Sequence, residues 1–408
     1  MTTTVYKTEK LRCNLCLTIF EAALPLGVKD APKYDNRALA IMVLSKYFLA
    51  TPFNRSREFQ DNLGVPLPAS TCSEKVLLAW QKLAPLFILL PYMAAQLEMI
   101  GFDDTVIKVL SFIKENKGHE NNPHFRRGYH TSVFVASSEK IKIVIFRTGR
   151  QHAGENFRDL LAMREEGLPT PMAISDGLEC YFPHKATSID IRCSVHARRK
   201  FYDLETVHPA LYNKAMEHFA QIFKNDKDAS GLNKQDRLLH HQEHSRAPLN
   251  ELVDLVENES EKFEPSSDEF KACNYLMKNW NPITTFMRVA GAPLDTNAEE
   301  RMAKQIIKLR KNSLFFKTAQ GAHMGDDFIG LIETCRANGV NVFNYLVWAL
   351  DNHKELAQIP MNFTPWKFKQ QGASPPENSP PEDSHWRAAP EAWHGLANSL
   401  LPEFEATT

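Results

Sequence analysis

Three acidic residues fall where a chain can gather carboxylates. Asp103 follows an apolar run in GFDDT, Asp176 ends AISDG just before a glycine turn, and Glu300 lies in the first turn of a helix predicted from LDTNAEER. Carboxylates at two strand ends and a helix start can converge on one point, and three of them can hold two Mg²⁺ ions about 3.5–4 Å apart. Such an ion pair supports attack of water or a 3′-hydroxyl on a phosphodiester and stabilises the leaving oxygen. An all-oxygen set suits Mg²⁺, with Mn²⁺ as a substitute, whereas thiolates or imidazoles would suit zinc. By position alone, the plainer reading is that all three are solvated turn residues, since acidic side chains are common there.

Other groups compete for attention. Cys193 and His196 stand three apart like half of a zinc site, but no second pair with matching spacing follows, which favours a structural role. Arg198, Arg199 and Lys200, with Arg301, Lys304, Lys308, Arg310 and Lys311, flank two of the three carboxylates. They read either as phosphate contacts or as solvated helix faces. HHQEH at His240–His244 fits an H-x-x-E-H metalloprotease pattern, yet it sits in a polar helical stretch that gives it no further support. Cys13 and Cys16 supply two of the four thiolates of a tetrahedral zinc site.

The elements that would position these groups follow from the pattern of apolar residues. Helical spacing runs from Asn36 to about Glu98, broken at Gly64, Pro66 and Pro68. MIGFDDTVIKVL, HTSVFVAS and KIKIVIFRTG then read as strands, GENFRDLLAMREEG as a helix closed by Gly167, and PTPMAISDG and IRCSV as further strands. HARRKFYDLE is a basic helix, and residues 204 to 285 read as helical, with an acidic stretch from Glu251 to Lys271. The fold class is therefore α/β with a long helical segment.

At 408 residues the chain is long enough for two or three domains. Its net charge of −1 and pI near 7.0 exclude a uniformly basic DNA-binding domain, so any charge for DNA must be local. Six basic residues face two acidic ones between Glu299 and Lys317. Seven cysteines fit a reducing compartment better than a disulfide framework. The start has no apolar signal region, and the most apolar stretch, Val76 to Ile100, is broken by Gln81, Lys82, Pro85, Pro91, Gln96 and Glu98. It reads as core helices rather than a membrane span, and the expected location is the cytoplasm.

GFDDT, ISDG, RCSVHARRKF, LDTNAEERMAKQIIKLRKNSLFF and LIETCRANGVNVFNYL occur in the order seen in insertion-sequence 66 transposases, and the chain from about Asn36 to Trp366 resembles that family. The resemblance implies a ribonuclease H-like core with a D-D-E triad: Asp103 (preferred to Asp104 because relatives often carry DET), Asp176 and Glu300, with two Mg²⁺ ions. It further implies a partial zinc-finger remnant at 1–27, a helical N-terminal domain at 28–98 and a core in two parts, 99–203 and 286–350, around a helical insertion at 204–285. A C-terminal extension follows at 351–408, disordered after about 368. Cys13 and Cys16 resemble the second knuckle of the family's zinc finger, with the first knuckle and the region before it absent, so the chain is expected to be N-terminally shortened. The implied partners are double-stranded DNA at element ends and target, further copies of the chain in a synaptic complex, and accessory proteins of the same element, with no membrane. The implied location is the nucleoid of a bacterial-type cell. Two rival readings remain: a DNA-binding relic without catalysis, and a metal-dependent nuclease without strand transfer.

Overall fold

The computed structural model describes residues 8–24, 33–65, 67–120, 122, 124–176, 188–296 and 307–370. A small antiparallel hairpin, β1 (Lys10–Arg12) and β2 (Ile19–Glu21), carries Cys13 and Cys16 in its turn. Three helices follow: α1 (Asn36–Tyr47), α2 (Phe53–Asn62) and α3 (Ala69–Ala95). Asp35 starts α1 by accepting the Ala38 N–H at 2.8 Å. Gly64, with φ of 71°, makes the turn out of α2 that a side chain would strain.

The long apolar stretch differs from its sequence reading. It forms one 27-residue helix with Pro85 and Pro91 inside it, rather than separate helices. By length and composition α3 could cross a membrane, but half of its most apolar window is buried inside the protein. Val76, Leu83, Leu86 and Leu90 join the main core, and that packing offsets the hydrogen bonds the prolines remove.

The β-branched segments build a mixed five-stranded sheet. β3 (Met99–Thr105) ends sooner than MIGFDDTVIKVL suggests, and a separate β4 (Lys108–Val109) leads into α4 (Leu110–Gly118). β5 (His130–Ser137) and β6 (Lys142–Gly149) run antiparallel, then α5 (Ala153–Leu161), β7 (Met172–Ser175), β8 (Ile189–Arg192) and α6 (Ser194–Tyr202) follow. The strand order is β6-β5-β3-β7-β8, with β7 and β8 parallel to β3 and to each other. α5 stops at Leu161, before Gly167, which takes φ of 85° in the turn that follows.

Side chains alternate across a strand, so β3 and β7 turn one face to each of two cores, while both faces of β5 and β6 belong to the larger one. Ile100 and Phe102 of β3 pack with α1, α3 and α5 in the larger core, where Phe102 stacks on Phe157 at 4.5 Å. Met99 of β3 and Met172 and Ile174 of β7 face the smaller core with Ala197 and Phe201 of α6. That second core continues into α7 (Pro209–Asp228), α8 (Lys234–His244), α9 (Arg246–Ser260), α10 (Asp268–Lys278) and α11 (Trp280–Ile283).

A long helix, Ala319–Ala337, lies along the free edge of β6. Thr148 N–H donates to Asp326 at 2.6 Å, Val144 N–H to Thr334 at 2.9 Å, and Lys142 N–H to Asn338, just beyond the helix, at 3.2 Å. Gly330 completes this every-fourth-residue stripe, for a Cβ there would meet the Val144 carbonyl at 2.8 Å. Four helical residues rise about 6 Å, close to the roughly 6.6 Å of two strand residues, so the two repeats stay in step. An edge that could pair with another chain is thereby closed by side chains. The described chain ends in a short helix, Pro365–Gln370, with Phe368 buried; the residues predicted to form the tail lie outside the described ones from 371 onward.

Candidate functional site

β3 and β7 run parallel with Gly101 opposite Ile174. Two residues further on, each strand reaches an aspartate, Asp103 and Asp176, on the face of the smaller core. Burial pushes the Asp103 carboxyl up to about 6, and the carboxylates of Asp176 and Asp104 add to that rise. The Asp104 backbone N–H, 2.7 Å from Asp103 Oδ1, and His196 pull the other way without cancelling it. A half-buried carboxyl raised by a second carboxylate is a place where a cation is favourable, and the all-oxygen pair suits a hard one. Tyr275 of α10 donates its hydroxyl to the Asp176 carbonyl at 2.9 Å, and Lys200 Nζ sits 5.7 Å from the Tyr275 ring. Nothing in the sequence singled out Tyr275, because it arrives from a helix a hundred residues away.

Glu300, Arg301 and Lys304 lie outside the described residues. The chain leading to them is fixed beside the start of α6. Ser194 N–H donates to the Leu294 carbonyl at 3.0 Å, and Thr296 N–H donates to the Cys193 sulfur at 3.3 Å, with Cys193, Ser194 and Thr296 all buried. Cys193 is thus a structural acceptor, and His196 acts electrostatically on Asp103; the zinc half-site reading loses its motive. Arg199 and Lys200 are exposed and Arg198 partly so on α6, while Lys308 and Lys311 are exposed on the later helical turn. Arg310 instead donates to the Val106 carbonyl at 3.0 Å, which ties it to the loop after β3.

The H-x-x-E-H match dissolves in the same way. His241 is buried between Asp226 (3.1 Å) and Ser245 (3.1 Å), and Arg237 pairs with the same aspartate, so the motif region is a clamp between α7 and α8. His240 packs on His244 with ring centroids 4.4 Å apart, and the Glu243 side chain is mostly exposed. In the β1–β2 turn, Cys13 is partly buried and Cys16 exposed, and hydrogen bonding to Thr18 holds the Cys16 thiol down to about 7.

The opposite face of β3 holds a cluster that the sequence did not announce. Asp104 accepts the Ser132 hydroxyl at 2.8 Å and the Ala153 N–H at 2.9 Å, and lies 3.6 Å from His152 Nδ1. His130 and His152 pack with ring centroids 3.8 Å apart. Burial lowers the His130 pKa, and His152 and Arg126 push the same way.

Sheet and site together define an α/β protein with a mixed five-stranded sheet, compatible with a ribonuclease H-like core, and with two aspartates at adjoining strand ends. The chain belongs to the Transposase IS66 family, whose profile matches residues 33–324. Three proteins of Sinorhizobium fredii (strain NBRC 101917 / NGR234) are similar to it. Uncharacterized protein y4hP is 22% identical over 393 residues, 90% of this chain and 68% of its own length. Uncharacterized proteins y4qI and y4jD are 28% and 25% identical over 43% and 39% of this chain, which spans 33% and 31% of theirs.

Proposed function

We propose that the chain is a DNA transposase with a ribonuclease H-like core, in which Asp103, Asp176 and Glu300 form the D-D-E triad. The observation that carries this is the parallel register of β3 and β7, with Gly101 opposite Ile174, from which each chain runs two residues on to an aspartate. A strand order of β6-β5-β3-β7-β8, with two antiparallel pairings followed by two parallel ones, supports the core assignment. Residues 99–203 and 286–350 would then be the two halves of that core, 204–285 its insertion, 28–98 a helical domain, and 1–27 a hairpin with at most half a zinc site. The expected setting is the bacterial cytoplasm, with DNA and further copies of the chain as partners.

In this reading Asp103 and Asp176 hold their carboxylates half-buried, away from competing water, where they and Glu300 would bind Mg²⁺ or Mn²⁺. When bound, the ions would supply Lewis-acid activation of the attacking oxygen and charge relief at the leaving one. Tyr275 and the α10 face fix the backbone at Asp176, and Cys193 with Ser194 fixes the chain that leads to Glu300. Arg198, Arg199, Lys200, Lys308 and Lys311 would grip phosphates on either side and set the scissile bond in line.

The test is a Mg²⁺-dependent reaction on labelled element ends with target DNA. Parent protein should cut and join, and Glu300→Gln should lose both steps while still binding DNA. Cutting without joining would reduce the activity to that of a nuclease, and undiminished joining by Glu300→Gln would refute the triad.

A further inference from the structure

Asp104, His130 and His152 come from three separate elements: the end of β3, the start of β5 and the residue before α5. Their ligand atoms all lie within 4.8 Å of one another. A four-coordinate zinc sets its ligand atoms about 3.4 Å apart, and His152 Nδ1 already stands 3.6 Å from Asp104 Oδ2. The carboxylate is held from behind as ligating carboxylates are: Ser132 and the Ala153 N–H donate to it, and Asn156 Nδ2 donates to the Ser132 oxygen at 2.9 Å. The nearby Arg126 guanidinium, which would oppose a cation, is taken up by Glu155 at 2.7 Å. The Asp104 side chain is 11% exposed and that of His152 36%, so the cluster opens to solvent on the histidine side.

We propose that Asp104, His130 and His152 form a binding site for a divalent transition metal of the zinc class, with solvent in the fourth position. Two imidazoles with one carboxylate select such an ion over Mg²⁺, which separates this site chemically from the oxygen-only pair on the other face of β3. The ion would pin β3, β5 and α5 together one residue from Asp103. This assignment does not rest on the transposase reading and is tested without DNA.

The experiment uses the full chain with Cys13→Ser and Cys16→Ser, which removes the thiolates as rival ligands. Co²⁺ titration should give the visible absorption of a four-coordinate nitrogen/oxygen site, saturating at one equivalent and displaced by Zn²⁺. His130→Gln and His152→Gln, each checked for native circular dichroism, should weaken binding by at least about tenfold, and Asp176→Asn should not. Zn²⁺ should raise the melting temperature of the parent and leave that of the His130→Gln variant unchanged. No absorption, absorption that survives in both histidine variants, or absorption lost in Asp176→Asn would each overturn the site.

Discussion

The two faces of β3 do opposite work from adjacent residues. On one face Ile100 and Phe102 sink into the larger core and Asp104 is held by Ser132 and the start of α5. On the other, Met99 touches the smaller core and Asp103 lies near Asp176, its pKa raised by burial and by like charge. A strand's two-residue period makes this possible: shifting register by one residue would exchange a packing face for a chemical one. The candidate site is thus not a pocket added to the fold; Asp103 and Asp176 stand at the end of the same face that builds a core.

The sharpest way to break that contrast is to mutate neighbours. Asp103→Asn should cut Mg²⁺-dependent strand cleavage by on the order of 10²–10³-fold or more without lowering the midpoint of urea unfolding, because burial already works against the ionised carboxyl. Phe102→Ala, one residue away, should cost about 3–5 kcal/mol of stability. If Asp103→Asn unfolded the protein, or Phe102→Ala left its unfolding midpoint in place, the division of labour would be wrong.

The second comparison sets Asp103 against Asp326, a carboxyl buried for structure. Burial pushes Asp326 up to about 8, although it accepts both the N–H and the hydroxyl of Thr148; Asp327 adds to the rise and Arg147 opposes it. An unfolded aspartate titrates near 3.9. Between about pH 4 and 8 the folded state therefore binds more protons than the unfolded one, and stability falls as pH rises, by at most about 1.4 kcal/mol per pH unit from this group. Asp326→Asn should flatten that fall, seen as a shallower dependence of the urea midpoint on pH; an unchanged slope would show that Asp326 is already ionised in the fold.

The smallest effect concerns the far wall of the site. Tyr275→Phe removes one hydrogen bond to the Asp176 carbonyl and should cost about 0.5–1.5 kcal/mol, with cleavage reduced more than DNA binding because the backbone beside Asp176 loosens. Equal losses in both would assign Tyr275 to the DNA surface instead.

Local sequence determined a large part of this molecule. The β-branched runs HTSVFVAS and KIVIFRTG are strands because their side chains fit a pleated, buried surface; MIGFDDT carries Asp103 near its end, and Asp176 directly follows MAIS. The family-like blocks named Asp103 over Asp104, and the two-residue period of β3 puts the two on opposite faces. Only the tertiary structure decided the rest. Burial made α3 one helix despite two prolines, since packing outweighs local propensity. It gave Cys193 a backbone N–H to accept, and closed a clamp at His241 inside the stretch whose spacing matched a protease pattern. The stripe of Asp326, Gly330, Thr334 and Asn338 has an evident four-residue period, but its partner is a sheet edge nearly two hundred residues earlier. A separation of 99 residues likewise hid Tyr275 from Asp176. Short-range periodicity fixes which face a residue takes; what stands on that face is set by strand order and helix docking, which no local window contains.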